Sequence, residues 1–370
     1  MNDQTNGDDL PLSWQPPTPQ ISMDDLLRRL IQDPDLPSLQ ALVALSDLSR
    51  TDQTRLREQW GMIPVARRRQ VIRTLVAEAE ENLDVQLGRL LRVALADEDA
   101  EVRRMAIAGL WEDSEPDLVT LFVQMVYNDA EAPVRAAAAQ ALGLFVLAGE
   151  LDELDASLAM RAEEALLGVL QNEYEPAIVR ASALESVAFS GEVGIRQLIE
   201  DGYYSPQAEM RASALVAMGR SADVRWRSIV RAELHNPDAA MRAAAAEACG
   251  ELEVKSALRG LILLLEDDEL AVRIAAITAL GRIGDKEGRE ALRILEESDI
   301  PEEAEAAGLA LEEMLFYGEG GNMALFDENE LDTDAAGKET DAEDEIDDWA
   351  DEWDMWDDDD DDNSGDEDDE

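Results

Sequence analysis

The sequence has one cysteine (Cys249), one histidine (His235) and three lysines (Lys255, Lys286 and Lys338) in 370 residues. A single cysteine excludes an internal disulfide framework and fits a reducing compartment, so a cytoplasmic location is expected. The same two scarcities leave too few soft ligands for an all-protein structural zinc site. Nucleophile–base catalysis would depend on His235, in the polar turn Leu234-His-Asn-Pro-Asp238, or on Cys249, in an alanine-rich stretch with no basic activator nearby. Neither a phosphate-cradling glycine loop nor a dinucleotide fingerprint occurs, and no metal or cofactor is expected. Uninterrupted apolar runs are short, Leu261–Leu265 being among the longest, and the N-terminus is acidic. Neither a membrane span nor a signal peptide is therefore expected. Positive charge is the last scarcity. The formal net charge of −54 argues against nucleic acid or an anionic membrane as ligand and favours a basic protein partner.

What the chain has in abundance is a repeat. Val/Met-Arg pairs recur at Val102-Arg103, Val134-Arg135, Val179-Arg180, Met210-Arg211, Met241-Arg242 and Val272-Arg273, with arginine spacings of 32, 45, 31, 31 and 31. A period near thirty signals a stack of identical units. In the clearest copy, Val272, Ala275, Ala276, Ala279, Leu280 and Ile283 fall on one helical face, and Leu258, Leu261, Ile262 and Leu265 do so in the preceding segment. Each unit therefore reads as two antiparallel helices joined by an acidic turn. Runs such as Arg135-Ala-Ala-Ala-Ala-Gln-Ala-Leu-Gly143 and Arg242-Ala-Ala-Ala-Ala-Glu-Ala-Cys-Gly250 let neighbouring helices approach closely. The trailing Gly143, Gly219, Gly250 and Gly281 are expected at helix C-termini in left-handed conformation.

The pattern Asp-x-x-Val-Arg-x-x-Ala-x-x-Ala-Leu-Gly resembles the HEAT repeats, in the short HEAT-like form associated with phycobilin lyases, over most of residues 22–317. The resemblance implies an all-α fold, a right-handed α-solenoid of about nine antiparallel helix pairs. It also implies a structural ladder in which Arg103, Arg135, Arg180, Arg211, Arg242 and Arg273 bond turn carboxylates of adjacent units, with Asp99, Asp129, Asp238 and Asp268 placed to accept.

Around that array, residues 1–21 read as a flexible proline-rich arm and 318–326 as a glycine-containing hinge. Residues 327–370 hold 26 acidic residues against one lysine and read as a disordered tail. Within it Trp349, Trp353 and Trp356 fall on one helical face. The 45-residue spacing predicts an insertion near Gly149–Asp155, as a longer linker or longer helices. A ninth, glutamate-rich pair over 287–316 suits a terminal cap.

Between Arg50 and Arg104 stand eleven arginines and ten acids, so this part is nearly neutral in an acidic chain. Arg67, Arg68, Arg69 and Arg73 are its densest cluster and, with the three tail tryptophans, form the candidate partner-binding set. The cluster also reads as an ordinary solvated helix face. The function expected is that of a non-enzymatic protein–protein interaction scaffold. Its acidic tail would meet a basic partner, or dock on the arginine-rich repeats of the same chain. A bilin lyase-like enzyme subunit, implied by the family resemblance alone, and a chaperone or assembly factor for basic clients are the alternatives.

Overall fold

The computed structural model describes residues 21–192 and 194–317. The arm expected over 1–21 (save its last residue), the hinge and the tail with Trp349, Trp353 and Trp356 lie outside the described residues.

Among the described residues are eighteen α-helices and no strand. They pair in chain order. The first two units are α1 (Met23–Gln32) with α2 (Leu39–Leu42), and α3 (Arg50–Gln59) with α4 (Val65–Glu81); these pack mainly on the following unit, α1 on α3, α2 on α4, α3 on α5 and α4 on α6. Then come α5 (Gly88–Ala94) with α6 (Ala100–Ala108), α7 (Asp117–Asn128) with α8 (Ala132–Glu150), and α9 (Ala156–Leu170) with α10 (Ala177–Val187). Next are α11 (Ile195–Tyr203) with α12 (Ala208–Arg220), α13 (Arg227–Glu233) with α14 (Ala239–Glu251), and α15 (Leu258–Leu264) with α16 (Leu270–Ile283). The ninth pair is α17 (Lys286–Leu295) with α18 (Pro301–Tyr317). The array is an α-solenoid. Helix starts are set by short polar side chains: Ser22, Ser49, Asp99, Asp155, Asp238 and Asp285 accept from backbone N–H groups of the first turn.

A single pair cannot hide both of its apolar sides, and stacking solves this. Buried residues from Leu26 to Met314 form one continuous core. The second helices of successive units pack directly on one another, α10 on α12, α12 on α14, α14 on α16 and α16 on α18. Close approach is why glycine recurs there. A Cβ on Gly250 would lie 2.8 Å from the Cα of Ala279, and one on Gly219 2.9 Å from the Cα of Ala248. The left-handed expectation for these glycines is thus wrong. Gly143, Gly219, Gly250 and Gly281 sit inside helices, and among the described residues the one left-handed glycine is Gly284 (φ 73°), which closes α16.

Three local features refine the array. The extra residues between Arg135 and Arg180 are taken up by helix: α8 has 19 residues and α9 has 15, leaving only 151–155 between them. The second helix of the first unit is short, a four-residue α-helix continued by the 3-10 turn Val43–Leu45. And α8, by length and composition, is apolar enough to cross a bilayer. Its apolarity is used in packing. It carries eight buried residues, and α6, α7, α9 and α10 pack around it.

Candidate interaction surface

The arginine ladder occupies the turn edge of the array. Arg103 Nε and one terminal nitrogen reach Asp129, both at 2.7 Å, and Arg242 does the same to Asp267 at 2.7 and 2.9 Å. Arg135 bonds Glu175 and Arg273 bonds Glu303, each at 2.6 Å. The other terminal nitrogen of these arginines donates to carbonyls of its own turn, as Arg273 does to the oxygens of Asp267 and Asp268. Each guanidinium therefore ties a turn to itself and to the next unit, which suits its planar fork. The acceptors differ in part from those expected. Asp129 takes Arg103, but Asp99 takes Arg69, Asp238 caps its own helix, and Asp267 rather than Asp268 takes Arg242. At Arg180 and Arg211 the corresponding turn positions are Ser205 and Asn236. Among the described residues these two bond only carbonyls, Leu170 for Arg180, and Ser205 and Pro206 for Arg211.

The Arg67–Arg73 cluster is largely an internal device and not a free cationic patch. Arg67 donates to the carbonyls of Leu30, Asp33 and Pro34, closing the end of α1. Arg68 is buried, 1% exposed. It donates to Asp97 at 3.0 Å, to Glu98 at 2.9 Å and to the Ile63 carbonyl at 2.9 Å. Asp97 also accepts from the Trp60 indole at 2.6 Å. Arg69 makes a two-point pair with Asp99, whose carboxyl is held below its ordinary value by those hydrogen bonds. Only Arg73 is exposed and, among the described residues, without an ion pair or hydrogen bond.

His235 is exposed in the turn before α14, and Cys249 is buried ten residues into that helix, roughly 15 Å away along the axis. Burial pushes the Cys249 thiol up to about 12, away from nucleophilic thiolate.

The open surface lies on the second helices. A groove of about 930 Å³ crosses α12, α14 and α16, with contributions from α10 and α18. Its floor is Ala212, Val216, Ala243, Ala244, Ile274 and Ala275, and its carboxylates are Glu185, Glu247 and Glu302. Burial raises the carboxyl of Glu185 above its ordinary value, against a hydrogen bond from Ser213 and the charge of Arg220. Burial likewise raises Glu247. Arg220 stands between them, 3.8 Å from Glu185 and 3.9 Å from Glu247, too far to hydrogen-bond either carboxylate. Its guanidinium lies over the Phe189 ring, 5.3 Å from the centroid.

The residue reading missed this groove. A signal was available: α14 and α16 have apolar residues on every side, whereas a helix with a solvent face normally carries polar residues there.

The sequence model for HEAT repeats matches residues 88–163 and 227–312. No curated protein sequence matches the chain. Among solved structures, the CpcE–CpcF complex of phycocyanin lyase from Nostoc sp. PCC7120 is 18% identical over 61% of this chain and 94% of its own, with a TM-score of 0.41. Human deoxyhypusine hydroxylase in complex with glycerol is 16% identical over 79% of this chain and 96% of its own, with a TM-score of 0.34. An engineered protein is 19% identical over 54% of this chain and 96% of its own, also at 0.34. Residues 88–163 and 227–312 thus carry HEAT repeats, and the helix pairs they form stack in series within the α-solenoid.

Proposed function

We propose that the chain is a non-enzymatic protein-interaction scaffold that receives a partner on the face of its second helices. The observation that carries this reading is the uncovered alanine floor. Helices α12, α14 and α16 are packed on their other sides and turn Ala212, Ala243, Ala275 and Ile274 toward an open groove. A contiguous apolar strip with a polar rim is the mark of a docking surface. The floor is also preorganised, since helices already fixed by stacking lose little freedom when a partner arrives.

Charge supports a basic partner. The chain's net charge is −54, of which residues 327–370 contribute −25 (26 acids less one lysine), so a basic protein is steered toward it from a distance. The engagement of Arg67, Arg68 and Arg69 inside the array removes most of the cationic patch on which an acidic segment would dock.

Placing a bulky side chain on the floor tests the reading. Ala243 is half-buried at the groove surface, and Ala243→Trp fills space there while leaving the core untouched. Partners captured by the wild-type chain at moderate salt should be lost on Ala243→Trp and kept on Arg73→Ala. Retention of every partner by Ala243→Trp, with circular dichroism unchanged, would refute it.

A further inference from the structure

Resting on the docking role of this face, we infer that its occupant is a cationic amphipathic helix that brings one lysine or arginine to the Glu185 and Glu247 carboxylates, beside Arg220. The contrast with the turn edge makes the case. There, carboxylates receive guanidinium groups in hydrogen-bonded pairs at 2.6–2.9 Å. In the groove two carboxylates share one guanidinium that hydrogen-bonds neither, so one negative charge stands without a counterion in a partly desolvated site.

Arg220 cannot relieve this by moving to one partner without leaving its other contacts. One terminal nitrogen donates to the Glu185 carbonyl at 3.3 Å, and the group is stacked on Phe189. Arg282, the other cation of the groove, already bonds Glu251. An incoming cation would supply the missing charge. Glu302 at the α18 end adds a third, exposed carboxylate on the rim.

The floor specifies the rest of the ligand. Small side chains at Ala212, Ala243 and Ala275 let a helix approach closely, and Val216 and Ile274 offer apolar contact. Stacked helices lie ~8–10 Å apart, so the span from α12 to α16 is roughly 20 Å, or about four helical turns. A helix of that length with alanine or leucine on one side and a basic residue at its edge matches both features. The chain's own residues 327–370 have the wrong sign for this site.

The test uses the full chain and three synthetic helical peptides of about four turns, identical except for lysine, glutamine or glutamate at the edge positions. The lysine peptide should bind tightest. Its affinity should fall at least ~10-fold in the Glu185→Gln/Glu247→Gln variant, a change of ~1.4 kcal/mol, and be lost in Ala243→Trp. The two glutamines keep the shape and remove desolvated charge, so that variant should fold at least as well as wild type. Equal binding of lysine and glutamine peptides, or no effect of the double variant while Ala243→Trp still blocks, overturns the cationic anchor and leaves the docking face standing. If neither variant alters binding of any peptide, the docking face falls with it.

Discussion

Removing Asp97 is the sharpest test of how the first units are held together. Arg68 and Asp97 are both buried, at 1% and 6% exposure, and Asp97 joins two units: Arg68 and Trp60 come from the second, Asp97 from the turn of the third. Replacing Asp97 by alanine strips Arg68 of its buried counterion. Arg68 keeps the Ile63 carbonyl and Glu98, but the Glu98 side chain is 76% exposed and its charge is screened. The Trp60 indole and the Asp99 amide, 2.6 and 2.8 Å from Asp97, lose their acceptor as well. Breaking a buried pair from one side costs about 3–5 kcal/mol, and Asp97→Ala should fall in that range. Replacing both members by apolar groups removes the orphan charge, so Arg68→Met/Asp97→Leu should be less destabilised than Asp97→Ala alone. Urea unfolding followed by circular dichroism measures both. Because a solenoid is coupled mainly through nearest neighbours, amide exchange should quicken in α3–α6 and stay unchanged in α14–α18. A cost below ~1 kcal/mol for Asp97→Ala, or a double variant equal to the sum of its singles, would refute the reasoning.

Other perturbations sort the same contacts. Gly250→Ala sets a Cβ 2.8 Å from the Ala279 backbone and should cost about 1–3 kcal/mol in urea unfolding. Gly308→Ala, where a Cβ meets nothing within 4 Å, should instead stabilise by up to ~1 kcal/mol. Arg103→Met leaves the nearly buried Asp129 carboxylate unpaired and should cost about 2–4 kcal/mol, against ~1 kcal/mol for Arg211→Met, which loses only turn carbonyls. Asp99 and Asp267 are held below their ordinary values by hydrogen bonds from Arg69 and Arg242. Their stabilisation is complete above the unfolded-state value and is lost as pH falls through the lowered folded value. Glu185 and Glu247, raised by burial, act in the opposite sense, so that strain from their charge eases as pH falls through the raised value. An acid titration of stability in Glu185→Gln/Glu247→Gln should therefore lack the relief that wild type shows as pH falls through those raised values.

The nine-pair array was legible because its information is local. Val272, Ala276, Ala279 and Leu280 repeat at helical spacing within one segment, and a period of 31 residues needs no partner to be seen. The glycines were misread for the opposite reason. Gly250 stands at the end of an alanine run, where a C-cap is common, and only the nearness of Ala279, twenty-nine residues on, shows that it is a contact. The ladder acceptors show the same limit. Asp238 and Asp268 had the right charge at the right turns, yet the choice between Asp267 and Asp268 is made by which carboxylate the next turn points at Arg242. Likewise a cluster such as Arg67, Arg68 and Arg69 cannot reveal from sequence that Asp97 and Asp99, some thirty residues away, are waiting for two of its members.

Alanine is what makes the second-helix face workable in both states. It has the highest helix propensity and little apolar area, so Ala243 and Ala275 can stand partly in water at small cost while their helices remain rigid. Leucine at those positions would bury more against a partner but would leave an adhesive strip in the free chain. With a weakly apolar floor, specificity must come from elsewhere, and the under-neutralised Glu185–Arg220–Glu247 group supplies it. It penalises an anionic or neutral occupant, whose arrival would desolvate those carboxylates further, and rewards one that brings a cation. Affinity drawn from a flat apolar floor and discrimination drawn from one charged cluster should separate experimentally. Floor substitutions should weaken all peptides alike, whereas substitutions at Glu185 and Glu247 should change only the ranking of lysine over glutamine.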